Sequence, residues 1–176
     1  MKNIIPDDGL TDEDRPFLDR ALSLAQQAFH KNEIPVGAII VQQMGKTRVI
    51  VGQGFNQREQ WSDPTAHAEV VALREAGRRL GRWQLHDCDL YVTLEPCPMC
   101  AGAIVNARIR RVIFTCSDPK AGAVRSLYRL ADDTRLNHRA QIVGPLSDAA
   151  SAELLREFFS RRRAAKKRSE NKQNSE

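Results

Sequence analysis

Two short segments constrain this chain more than any other part of it. They are Pro64-Thr65-Ala66-His67-Ala68-Glu69 and, about thirty residues further on, Pro96-Cys97-Pro98-Met99-Cys100. One histidine and two cysteines are ligands of the kind zinc takes, and Glu69 is a spare carboxylate beside them. Three protein ligands leave a fourth zinc position open, which separates a catalytic zinc from a closed structural one. A fold for this sequence must therefore bring two remote segments to one point. Proline is favoured at the first helical position, so both segments should open helices. Cys97 and Cys100 are three apart and then share a helix face. The positive end of the helix dipole favours their thiolates.

Two thiolates and a neutral imidazole cancel the charge of zinc and leave it a Lewis acid. Water is the expected fourth ligand, its pKa brought down to roughly 7. Glu69 can take a proton from that water and return it to a ring and a leaving amine. The chemistry is attack on an amidine-like carbon with loss of ammonia. A Cys-x-x-Cys alone could be a redox pair or half a structural zinc finger, with His86 or Cys88 as a further ligand. The joint occurrence of the two motifs favours catalysis.

The segments between the motifs alternate in period. Thr11 with Asp14 resembles a capping box, and Phe17, Leu18, Ala21, Leu22, Ala25, Ala28 and Phe29 recur at helical spacing to about Lys31. Val36–Val41 and Arg48–Gly54 read as strands joined by a turn at Met44-Gly45-Lys46. Asp63-Pro64 predicts a helix to about Leu80. Cys88–Thr93 is a strand, Pro96 or Pro98 opens a helix to about Ala107, and Arg111–Cys116 is the next strand. Residues 117–140 read as loop with a short helix near Leu127, and Gln141-Ile142-Val143 as a short edge strand. Ser147 is expected to cap a last helix whose Leu154, Leu155, Phe158 and Phe159 cover a core and which continues into a basic tail. Strands alternating with helices predict an α/β fold. Its central sheet of about five strands is mixed and sandwiched by helices: the first pair is a hairpin, and later strands are joined through helices.

The chain has 176 residues, enough for one domain with a sizeable core. Four cysteines do not make a disulfide scaffold at this length. Cys88 and Cys116 read as small buried hydrophobes in strands. No apolar run reaches the roughly 20 residues of a membrane helix, and the acidic N-terminus does not read as a signal peptide; a cytoplasmic location without membrane contact is expected. Residues 161–176 carry seven Lys/Arg against two Glu, which accounts for the whole net charge of +5. A basic end on a neutral body predicts a polyanionic partner.

The residues resemble a known superfamily. His67-Ala68-Glu69 with Pro96-Cys97-Pro98-Met99-Cys100 is similar to the cytidine/deoxycytidylate deaminases. Several further segments narrow the likeness to the bacterial tRNA-specific adenosine deaminases: Glu33–Ala38, Gly54-Phe55-Asn56, Thr93–Ala103, Asp118–Ala123 and Leu136–Arg139. The resemblance covers roughly residues 11–165. It implies a deaminase domain there; outside it, residues 1–10 read as a loose arm and 166–176 as a basic, disordered tail. It further implies adenosine-to-inosine conversion at the wobble base of a tRNA anticodon, one Zn2+ per subunit, a homodimer, and an anticodon stem-loop as partner. His67, Cys97 and Cys100 would hold zinc, and Glu69 would shuttle the proton. Asn56 would bind the flipped nucleoside, Asp118 and Lys120 would touch the anticodon backbone, and Arg161, Arg162 and Arg163 would lie near the RNA. Thr115-Cys116 and Val124-Arg125 depart from the usual run of that family. Arg125 could there add a phosphate contact. The readings in competition are a free nucleobase or nucleoside deaminase of guanine or cytosine type, and a non-catalytic zinc-stabilised RNA-binding module.

Overall fold

The computed structural model describes residues 10–146 and 148–173. The expected arm over 1–10 therefore lies almost wholly outside the described residues, as does the Ser147 cap. Five strands form one sheet: β1 (Gly37–Met44), β2 (Thr47–Phe55), β3 (Cys88–Leu94), β4 (Arg111–Cys116) and β5 (Gln141–Val143). Their order is β2-β1-β3-β4-β5. β1 is antiparallel to both β2 and β3, whereas β3, β4 and β5 run parallel, so the sheet is mixed as expected.

Alternation along the strands divides the core into two layers. Ala38, Ile40, Leu90, Val92, Val112 and Phe114 face α3 (Ala68–Leu80) and α4 (Pro98–Ala107). Ile39, Val41, Tyr91 and Ile113 face α1 (Arg15–His30). α5 (Ala149–Gln173) lies against α1, with the Phe158 and Phe29 rings 6.1 Å apart. Both faces of the sheet are thus covered, which explains why β3 reads as a near-continuous apolar run. Where α3 crosses β2 the approach is too close for a side chain: a Cβ on Gly54 would stand 2.6 Å from the Ala68 carbonyl oxygen.

Several local expectations are corrected. The Thr11–Asp14 capping box exists, but it closes a single 3-10 turn over Asp12–Asp14 that leads into α1. Asp63-Pro64 opens a turn in place of a helix. The Asp63 carboxylate accepts from the Thr65 amide and hydroxyl, both at 2.7 Å, so the helix begins four residues later with His67 as its N-cap. A short helix not expected from the sequence, α2 (Arg58–Trp61), precedes that turn. The segment near Leu127 forms turns and no helix. Asp148 caps α5 by accepting from the Ser151 amide at 2.9 Å. α5 continues to Gln173, into the basic tail.

Candidate active site

The chain leaves the β2 edge of the sheet along α3 and comes back through the central strand β3, so both motif segments meet at the C-terminal ends of the parallel strands. His67 and Cys97 are the N-cap residues of α3 and α4, each in extended backbone, and Cys100 lies in the first turn of α4. His67 Nδ1 lies 3.6 Å from the Cys97 sulfur and 3.6 Å from that of Cys100. A tetrahedral zinc with bonds of about 2.3 Å to sulfur and 2.0–2.1 Å to nitrogen requires edges of roughly 3.6 Å between those atoms. The donor set therefore fits the metal. Cys88 lies at the far end of β3, where it donates to Asp87 at 3.5 Å, so the group of ligands remains three and open.

The electrostatics match this role. The Cys97 thiol is brought down to about 4, chiefly by its hydrogen bond with Cys100 and also by that with His67, against the effect of burial. Hydrogen bonding with Cys97 raises His67. Glu69, the second residue of α3, is buried, and burial pushes its carboxyl up to about 7. A carboxyl poised there can both take and give a proton near neutral pH. Asn56, at the end of β2, is also buried. Its Oδ1 accepts from the Ala68 amide at 2.9 Å, which leaves the amide NH2 as the end available to a ligand. Asn56 thus positions the start of α3 as well as lining the site.

These groups open into a cavity of about 780 Å³, within the roughly 300–1,000 Å³ of typical ligand sites. Ile34, Val36 and Leu94 give it an apolar side. The loop over residues 117–121 forms the opposite wall, and there Lys120 lies on the lining. Asp118 lines the cavity too, but its Oδ1 is engaged by the amides of Lys120 (2.9 Å) and Ala121 (3.2 Å), so it shapes the loop.

Arg162 is not on the cavity lining. It bonds Glu59 at 3.2 Å and stacks over Phe158. The face of α5 that lines the cavity carries Leu155, Arg156, Phe159 and Arg163, spaced three and four apart. Phe159 is accordingly exposed at the cavity, in place of the core position expected for it. The Arg125 guanidinium pairs with Asp132 at 2.8 Å and braces the loop. Sequence reasoning missed Arg58 and Arg156, both on the lining, and named Arg163 only within the run Arg161–Arg163. The 3.6-residue period of α5 could have identified Arg156 and set Arg163 apart from its neighbours. It also passed over Glu95, a buried carboxylate on the lining. Burial alone would raise Glu95; hydrogen bonds from Ser126, Asp118 and Arg125 outweigh it and hold the carboxyl below its ordinary value.

The family model of the cytidine and deoxycytidylate deaminase zinc-binding region matches residues 11–116. A tRNA-specific adenosine deaminase of Aquifex aeolicus is 49% identical over 84% of this chain and 94% of its own length. A solved structure from work on A-to-I editing by tRNA:A34 deaminases superposes with a TM-score of 0.74 at 39% identity, covering 80% of this chain and 99% of that one. Guanine deaminase from Bacillus subtilis reaches a TM-score of 0.54 at 44% identity, over 61% of this chain and 66% of its own. The chain belongs to the tRNA-specific adenosine deaminase family, within the zinc-binding cytidine and deoxycytidylate deaminases.

Proposed function

We propose that this protein hydrolyses adenosine to inosine at the wobble position of a tRNA anticodon. The observation that carries the reading is one cavity holding the His67/Cys97/Cys100 group and the buried Glu69 under a basic rim of Arg58, Lys120, Arg156 and Arg163. Zinc, when bound, supplies a Lewis acid that makes water nucleophilic at neutral pH. Glu69 takes one proton from the attacking water and gives it to the ring nitrogen, then takes the second from the added hydroxyl and gives it to the departing amine as the C–N bond breaks. Water is consumed and ammonia released. The Asn56 amide NH2 holds the splayed base, and Ile34, Val36 and Leu94 keep bulk water from the reacting face.

A single unstacked base can enter this cavity while its flanking phosphates meet the basic rim. That rim favours RNA over a free nucleobase, which has no phosphates to place there. Contacts of Asp118 and Lys120 with the anticodon backbone belong to the same reading. So does a homodimer, whose second copy would cover the groove lined by Val70, Leu73, Trp83 and Ala103. The tRNA substrate implies a cytoplasmic location. No helix among the described residues is long and apolar enough to cross a membrane.

The test is to incubate the purified protein with an anticodon stem-loop carrying a wobble adenosine, and separately with free adenosine, guanine and cytidine. Inosine in the stem-loop is the expected product. Turnover of a free base or nucleoside with an untouched stem-loop would replace this reading with that of a small-molecule deaminase.

A further inference from the structure

We propose that Glu95 is a positioning residue for the deamination: its buried carboxylate fixes the loop wall of the cavity against the metal-ligand segment. The inference rests on the reaction proposed above for its substrate. The wall over residues 117–121 starts a stretch that has no helix or strand until β5. Its backbone donors must therefore find partners outside any ladder. Glu95 takes four of them. One carboxylate oxygen accepts from the amides of Val124 (3.2 Å), Arg125 (2.7 Å) and Ser126 (2.8 Å). The other accepts from the Asp118 amide at 3.0 Å and from the Ser126 hydroxyl.

Two backbone bonds complete the attachment. The Glu95 amide donates to the Cys116 carbonyl at 2.8 Å, and the Ala123 amide to the Pro96 carbonyl at 2.8 Å. Residue 95 stands two before the ligand Cys97, so the segment that presents the sulfur also anchors the wall. The loop passes directly over the carboxylate: a Cβ on Gly122 would stand 2.3 Å from Glu95 Cδ. Only glycine fits there, which means that loop and carboxylate are shaped to each other. The distance from the metal ligands to Lys120 is therefore set through Glu95, and a substrate spanning both should sense its loss.

Glu95→Gln keeps the volume but replaces one acceptor oxygen with a donor. The Ser126 hydroxyl can turn and accept from it, whereas the Asp118 amide cannot. Losing a hydrogen bond to a charged acceptor is expected to raise KM for the stem-loop about tenfold or more. kcat should stay within about threefold and zinc at one per chain, because no reacting group is touched. Hydrogen exchange should quicken over residues 117–126 and stay unchanged in β3 and α4. Gly122→Ala presses on the same contact from the loop side without removing a charge, and should give the same KM effect; it decides the matter if Glu95→Gln does not fold. Unchanged KM and exchange would overturn the proposal, as would a fall in kcat that tracks lost zinc. A wild-type protein inactive on the stem-loop would instead overturn the substrate reading, and the exchange measurement would still judge Glu95.

Discussion

Asp14→Ala should cost stability without touching catalysis, because the ionic cluster that Asp14 anchors sits at the opposite end of the strands from the site. The Asp14 side chain is fully buried. It accepts from Arg48 at 2.8 Å, Arg111 at 2.7 Å and the Tyr91 hydroxyl at 2.5 Å, which ties the 3-10 turn before α1 to β2, β4 and β3. Removing the carboxylate leaves Asp89 facing three guanidinium groups, those of Arg48, Arg110 and Arg111, at 3.6, 2.7 and 3.2 Å. The Arg48 and Arg111 side chains are only 10% and 13% exposed, so water cannot compensate them. Breaking a buried pair of this kind costs about 3–5 kcal/mol. For a domain of this size that is a fall in Tm of roughly 6–20 °C.

The pH dependence of the same variant has a fixed sign. Burial alone would raise the Asp14 carboxyl; hydrogen bonds from Tyr91, Thr11 and Arg48 and the charge of Arg111 outweigh it and hold the group well below its ordinary 3.8. A depressed native pKa contributes stability that is fully present above the unfolded value and is lost as pH falls through the native one. Calorimetry of wild type and Asp14→Ala across pH 7 to 2.5 should therefore show a wide gap in Tm at neutral pH that narrows below about pH 4. Activity per folded molecule at 25 °C should match wild type. A neutral-pH loss under about 1 kcal/mol, or a gap that does not narrow in acid, would refute the assignment of the cluster as a stabilising anchor.

Glu69→Gln should lower kcat by about 10²–10⁴-fold with zinc still at one per chain by metal analysis, since a carboxyl that moves a proton is lost and no ligand is. Loss of zinc alongside activity would make Glu69 a ligand support. The double variant Arg156→Ala/Arg163→Ala should weaken stem-loop binding and flatten its log–log salt slope by about 1 per phosphate contact removed; an unchanged slope would show that this face of α5 does not meet RNA. Gly54→Ala should fail to accumulate as folded protein or lose zinc, because its Cβ would push α3 off the sheet at the residue that follows His67. A well-folded, zinc-replete Gly54→Ala would mean that the close approach is not required.

The reaction was legible from four side chains because a metal site carries its own geometry: His67, Cys97 and Cys100 have no other common use at that spacing. The sheet was legible because β1, β3 and β4 are apolar on both faces and flanked by helical periods. The failures share a cause. Asp63-Pro64 satisfies the rule for a helix start, yet the Asp63 side chain bonds Thr65 and diverts the chain into a turn, a competition that composition does not decide. Leu127 promised a helix in a loop three of whose amides are instead claimed by Glu95, 29 to 31 residues away along the chain. Arg162 was picked from a run of three arginines, and only the phase of α5 against the cavity distinguishes Arg163 from its neighbours.

Helix phase also places the two motifs. The thirteen residues of α3 rise about 20 Å, and the seven of β3 return about 23 Å. The excursion between His67 and Cys97 is therefore a helix out and a strand back of matched length. The ten residues of α4 and six of β4 repeat it, about 15 Å out and 20 Å back, which delivers Cys116 and the loop bearing Lys120 to the same end. Because both helices begin at a ligand, their positive ends converge on the metal position and favour thiolates there. Glu69 sits beside them, and its burial raises the carboxyl and keeps its proton exchangeable. An insertion of two residues in the middle of α3 should thus be more damaging than one between Leu80 and Leu85. The first rotates His67 and Glu69 by about 200° relative to the face packed on the sheet, whereas the second only lengthens a connection. Zinc content of the two insertion variants tests this directly: loss confined to the helix insertion is expected, and equal loss in both would mean that the connection, not the helix phase, sets the ligand position.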